Sequence, residues 1–108
     1  MSQSNELTQK ILKFLFLEGV YAWRASQTGV YDTRRAIYRT APKKGVADIL
    51  ACYKGYLVAI EVKIGKDKLS PEQAGFLKSI RQAGGRAFVA TSYAQFIIEW
   101  QLLTTSFL

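Results

Sequence analysis

The sequence predicts an α/β fold, a mixed β-sheet flanked by helices in the order α-β-β-β-α-β-α. Three observations carry this expectation. Residues 5–18 repeat apolar side chains at helical spacing. Two apolar runs, Val46–Tyr53 and Tyr56–Val62, are separated only by Lys54-Gly55, as in a hairpin. A helix start at Ser70 and a Gly-Gly stop at 84–85 then lead into a strand at 86–91. A strand, crossover helix and strand in that order place the last strand parallel to the first.

The first helix rests on Leu7, Ile11, Phe14, Leu15 and Glu18 at offsets of three and four, with Ser4 or Asn5 as its cap and Gly19 as its stop. Val20–Ser26 and Thr28–Tyr31 read as short strands, and residues 32–45 as an irregular loop closed by Pro42 and Gly45. After the hairpin comes a polar turn through Gly65–Leu69. The second helix has complete start chemistry. Ser70 is its N-cap, Pro71 takes the first helical position, and Gln73 stands three residues after Ser70 as a capping box requires. Arg86–Thr91 is the next strand and Ala94–Leu103 the last helix. No repeat or linker interrupts the chain, so residues 1–108 are expected to form one domain.

Composition bounds the chemistry. A hydrophobic share of 49% demands a packed core rather than disorder, and no apolar run approaches the length of a membrane span. The first residues do not read as a signal peptide, and a cytoplasmic location is expected. The one cysteine, Cys52, lies in an apolar strand and is expected to be a buried, inert thiol. With no histidine, imidazole bases and Cys/His zinc sites are excluded. No small-molecule cofactor and no membrane partner are expected. Fifteen basic residues against eight acidic ones give a net charge of +7, which favours a polyanionic partner.

The hairpin contains an electrostatic oddity. If Lys54-Gly55 is the whole loop, paired positions sum to 109 and Asp48 faces Glu61. Directly opposed residues hold their Cβ atoms about 4.5–5.5 Å apart, and like charges there destabilise a sheet. Lys63, two residues beyond Glu61, falls on the same face. A divalent metal held by both carboxylates removes the repulsion and points to hydrolysis. Hard carboxylate oxygens suit Mg²⁺, with Mn²⁺ as an alternative. The carbonyl of Val62 is a further candidate ligand, its side chain falling on the opposite face. Lys63 is placed to orient or deprotonate a water, or to neutralise charge on a phosphate.

An Asp, a gap and then Glu61-Val62-Lys63 on the next strand resembles the motif of the restriction-endonuclease-like nucleases. Trp23-Arg24, Gly29, Gly45-Val46-Ala47-Asp48, Ser70-Pro71-Glu72-Gln73 and Gly84-Gly85-Arg86-Ala87 extend the resemblance over most of the chain. Within that superfamily it looks most like the stand-alone VRR-nuclease domains of phage and mobile elements. That family usually has Pro before the first Asp, where this chain has Ala47. The resemblance implies a restriction-endonuclease-like sheet and a metal-dependent endonuclease, acting on branched DNA such as four-way junctions as a homodimer, in a bacterial or phage-infected cell. It also implies that Gln73 faces the metal site and that Glu6 reaches the metal from the first helix. The residues alone explain both otherwise, Gln73 by the capping box and Glu6 by the helix dipole and its i+4 partner Lys10.

Arg34, Arg35, Arg39, Lys43 and Lys44 crowd the loop before Asp48 and are candidate phosphate contacts. Arg24, Lys66 and Lys68 are candidates for the same groove. Tyr31 and Tyr38 fit either base stacking or packing. The tail from Phe96 to Leu108 is more apolar than one buried helix face needs, which leaves surface for self-association. Competing readings of the same residues are a nickase or flap or linear-duplex nuclease, an inactive DNA-binding module, and a purely structural domain.

Overall fold

The computed structural model describes residues 2–26, 30–32, 37–39 and 45–107. Helix α1 spans Gln3–Leu17 and starts two residues earlier than expected. Its cap is Ser2, whose Oγ accepts from the Asn5 N–H at 3.2 Å, because Ser4 and Asn5 already lie within the first turn. Gly19, at φ +74°, lets the chain reverse after the helix. The strands that follow are β1 (Tyr21–Arg24), β2 (Val30–Asp32), β3 (Ile37–Arg39), β4 (Ile49–Tyr53) and β5 (Tyr56–Val62). Helix α2 (Pro71–Gln82), strand β6 (Arg86–Ala90) and helix α3 (Tyr93–Thr105) complete the chain.

The main sheet runs β1-β4-β5-β6, antiparallel except for the parallel β5–β6 pair that the crossover demands. Counting this sheet and its helices, the order is α-β-β-β-α-β-α, as in restriction-endonuclease-like folds. One correction concerns the stretch expected to be irregular between 32 and 45. Val30–Asp32 and Ile37–Arg39 pair antiparallel as a separate two-stranded ribbon inserted between β1 and β4. The expected strand Thr28–Tyr31 overlaps the first of these, whereas the three residues Ile37–Arg39 are too short for alternation to reveal them.

The hairpin has the expected register, from Ile49 opposite Ile60 to Tyr53 opposite Tyr56. Lys54 and Gly55 both take positive φ, 50° and 83°, which is the combination a two-residue type I′ turn requires. Helices α1 and α3 cover one sheet face, with Ile11, Leu15, Ile49, Ile60 and Phe96 fully buried between them. Each such side chain contributes about 1.5–3 kcal/mol by leaving water. The other face is covered by α2 alone, through Leu77, Phe76 and Ile80 against Ala59 and Ala87. That helix lies over β5 and β6, so among the described residues no helix covers the β1–β4 half of this face. Cys52 is therefore exposed, contrary to the expected buried thiol. An apolar strand predicted its environment only if both faces were covered. No helix among the described residues is long and apolar enough to cross a membrane.

Candidate active site

One step past the Ile49–Ile60 pair, the hairpin register sets Asp48 opposite Glu61. Alternation from Leu50 and Ala59 puts both carboxylates, and Lys63 after them, on the α2 side of the sheet. Asp48 is held at three points. Its Oδ2 accepts the Val62 N–H at 2.8 Å, its Oδ1 accepts the Ser26 hydroxyl at 2.9 Å, and its carbonyl accepts the Ala25 N–H at 2.8 Å. The side chain thus continues the ladder where the strand itself has stopped.

Glu61 is different. It sits in the doubly covered half of β5, only 2% exposed, and its Oε2 has no hydrogen-bond partner among the described residues. Burial pushes its carboxyl up from 4.5 to about 8, helped by a hydrogen bond with Asp48 and by that residue's charge, and opposed by the Lys63 ammonium. A buried polar atom without a partner is costly in an ordinary core. Here it lies beside a second carboxylate, which is a donor set for a hard cation. Mg²⁺ commonly binds proteins through one or two carboxylates and takes its remaining ligands from water and phosphate. The pair Asp48 and Glu61 fits that requirement.

Val62 points its side chain into the core shared by α1 and α3, 5% exposed, as its place between Glu61 and Lys63 demands. The Lys63 N–H donates to Ala90 O at 3.0 Å, which anchors the residue to β6, and its side chain is half-buried. The capping box at α2 is formed. The Ser70 N–H donates to Gln73 Oε1 at 2.9 Å and the Gln73 N–H donates to Ser70 Oγ at 3.1 Å. The cap uses the side-chain oxygen of Gln73 and leaves its NH₂ group for other contacts. Gly45 brings this helix end to the site. Its φ is +78°, and any side chain there would run into the backbone of Glu72 and Gln73. Three residues before Asp48, the chain thus rests backbone to backbone on the first turn of α2.

Other candidates stand apart from this cluster. Glu6 is exposed on the first turn of α1, and no third Asp, Glu, Cys or His joins Asp48 and Glu61 among the described residues. Arg24 pairs with Ile49, which faces α1, and its guanidinium donates to Asn5 Oδ1. It ties β1 to α1 on the face opposite the carboxylates. Lys66 and Lys68 are exposed on the turn that follows Lys63. Arg34, Arg35, Lys43 and Lys44 lie outside the described residues, as do the side chains of Arg39, Tyr31 and Tyr38.

Ser26 is the one site residue that sequence reasoning did not single out. The β1–β4 register, in which partners sum to 73, puts Ala25 opposite Asp48 and Ser26 one step beyond. A long connection joins these strands, so nothing local announces that register.

The VRR-NUC domain family matches residues 23–94, a span from Trp23 through the carboxylate hairpin and α2 to the start of α3. Among solved structures, the chain is similar to Hjc, a Holliday junction resolvase from the archaeal hyperthermophile Archaeoglobus fulgidus. The two share 27% identity at a TM-score of 0.56, over 82% of this chain and 67% of that one. No curated protein matches the chain.

Proposed function

The chain belongs to the VRR-NUC domain family, and from that premise we propose that it is a Mg²⁺-dependent DNA endonuclease selective for branched DNA such as four-way junctions. The observation that carries this reading is the half-buried Asp48 opposite the buried Glu61, with a Glu61 oxygen unpartnered among the described residues and Lys63 on the same face. The likeness to a Holliday junction resolvase supports the branched substrate. Nothing in the chain reads a base sequence, which favours recognition of DNA shape.

In this reading Asp48 and Glu61 hold the cation, with the Val62 carbonyl as a further ligand. When bound, the cation supplies Lewis-acid stabilisation of the phosphodiester and an acidified water. Mn²⁺ can take the same place. Ser26 and the Val62 N–H hold the Asp48 carboxylate in one orientation, so little reorganisation is needed on loading. Glu61 would have to be ionised to serve as a ligand, so its affinity for a cation would rise with pH. Lys63 orients the attacking water or offsets charge on the phosphate. Gln73 presents its amide from α2. Glu6 would need a water-mediated contact to take part. Arg34, Arg35, Arg39, Lys43 and Lys44 bind phosphates before the site, with Lys66 and Lys68 beyond it, and Arg24 bears on the same DNA only from the opposite face. The working unit is a homodimer, because one site per chain cuts one strand and a junction requires two cuts.

One gel tests this. Purified protein is mixed with junction, flap, single-stranded and linear duplex DNA, with Mg²⁺ or with chelator. Junction cleavage that needs Mg²⁺ and is lost in Asp48→Asn, Glu61→Gln and Lys63→Ala is expected. Full activity in any of the three variants sinks the catalytic assignment. Metal-independent binding without cleavage would make the chain a DNA-binding module, and single nicks or flap cuts would make it a different nuclease with the same site.

A further inference from the structure

Two aromatic residues stand on the β1–β4 half of the sheet. Tyr21 and Trp23 alternate away from Ala22, which packs into the α1–α3 core, and so face the α2 side. Their cross-strand partners are Cys52 and Leu50, and Leu57 lies next to Cys52 in the following strand. Among the described residues α2 packs on β5 and β6 and not on β1, and Tyr21 is 75% exposed and Trp23 41%. The two rings lie together, centroids 5.5 Å apart and planes tilted by 47°. On an ordinary surface, such apolar area on one patch would be a liability.

This patch and the carboxylates share one sheet face. Trp23 pairs with Leu50, two residues along the same strand from Asp48. With about 3.4 Å rise per residue and about 4.8 Å between strands, Trp23 lies roughly 8 Å from Asp48. Along a DNA strand that is only two or three nucleotide steps, at about 3.4 Å each. Trp23 and Tyr21 thus offer two adjacent, neutral ring faces in a chain of net charge +7, in line with the groups that face a phosphodiester.

We propose that Tyr21 and Trp23 form a stacking platform for an unpaired nucleobase close to the scissile phosphate. The inference rests on the nuclease reading of Asp48, Glu61 and Lys63, and assigns that site a preference for DNA with unpaired bases beside the cut. Aromatic rings stack on any base without reading sequence, and their π faces are buried inside a duplex, so paired DNA cannot use them. A branch point or a single-stranded flank can.

Binding rather than cleavage provides the test. The chain has two tryptophans, and Trp100 is 4% exposed in the core, so emission changes on DNA addition report Trp23. The Lys63→Ala chain, in chelator, is titrated with three DNAs: a fully paired duplex, the same duplex with a single-stranded flank, and that flank built from abasic sites. Quenching is expected with the based flank only. Adding Trp23→Ala should weaken flank binding roughly tenfold, within the range stacking supplies, and leave paired duplex unchanged. Trp23→Phe should restore most of the loss, and Tyr21→Ala gives a second variant if Trp23→Ala folds poorly. Equal loss on all three DNAs, or no loss, overturns the platform. So does a change of oligomeric state in light scattering with flank binding intact, since the patch would then meet a second copy. If the wild-type chain cuts nothing yet flank-specific quenching persists, the nuclease reading falls and the platform stands.

Discussion

Glu61 concentrates the electrostatic tension of this molecule in a single carboxyl. Its folded pKa of about 8 lies above the unfolded value of 4.5, so between these values the folded chain binds a proton that the unfolded chain does not. Without metal, stability should be greatest below about pH 4.5 as far as this group is concerned, and should be lost as pH rises through 8. At about 1.4 kcal/mol per pKa unit the effect is on the order of 5 kcal/mol. Thermal melts in chelator across that range should show the decline, and Glu61→Gln should flatten it. A wild-type melting curve independent of pH would mean that Glu61 is better solvated than its burial implies. Ser26 works on the other carboxylate. Ser26→Ala removes one hydrogen bond to Asp48, worth about 1.5 kcal/mol for a charged acceptor. It should raise the Mg²⁺ concentration needed for half-maximal cleavage, and Ser26→Thr should recover most of it. An unchanged Mg²⁺ requirement would reduce Ser26 to a surface hydroxyl. Asp48, Glu61 and Lys63 were legible in the sequence because a two-residue turn ties them together. Ser26 was not, because its partner is fixed by a strand pairing that closes a long loop.

At the scale of elements, α2 is where local sequence and the site meet. Its start is written into Ser70-Pro71-Glu72-Gln73, and the capping box forms as those residues require. What they do not say is that Gly45 presses the approach to Asp48 against this same turn. Ser70→Ala and Gln73→Ala each break the box, and each should cost about 1 kcal/mol in denaturant midpoint. If the Gln73 amide also serves the site, Gln73→Ala must lose more cleavage than Ser70→Ala at matched stability. Equal losses would assign Gln73 to the cap alone. The hairpin itself was predictable down to its register, since Lys54 and Gly55 close it with no intervening choice. The β2–β3 ribbon was half hidden, because the expected strand Thr28–Tyr31 overlaps Val30–Asp32 while Ile37–Arg39 is stabilised by that partner rather than by a pattern of its own.

The whole molecule is a +7 particle with one apolar end free of cationic side chains. No Lys or Arg follows Arg86, and α3 leaves Ile98 57% and Leu102 65% exposed, one turn apart. The charge predicts steep salt dependence. If Arg34, Arg35, Arg39, Lys43 and Lys44 each neutralise one phosphate, log affinity should fall against log salt with a slope of about −4 to −5. Arg34→Glu with Arg35→Glu should weaken all DNAs together. A shallow slope would move the interface to the few lysines past Lys63. The apolar end matters for assembly, since two copies of a basic chain meet with least repulsion where neither carries a cationic side chain. Mixed dimers of wild-type and Lys63→Ala chains should nick a junction once and rarely resolve it. A monomer in light scattering that still resolves junctions would remove the dimer.

What the sequence determined by itself was local. It held the α2 cap, the hairpin register, the pairing of Asp48 with Glu61 and the parallel return of β6, because each depends on residues near in the chain or on the handedness of a crossover. Tertiary structure decided which surfaces are covered. Cys52 is exposed, Trp23 and Tyr21 face open sheet, Arg24 turns to α1 and Ser26 to Asp48, and Glu61 loses its solvent. Those outcomes depend on where α2 and α1 rest on the sheet. A helix narrower than the sheet it packs on must leave strands bare, and which strands is settled by packing between residues far apart in sequence.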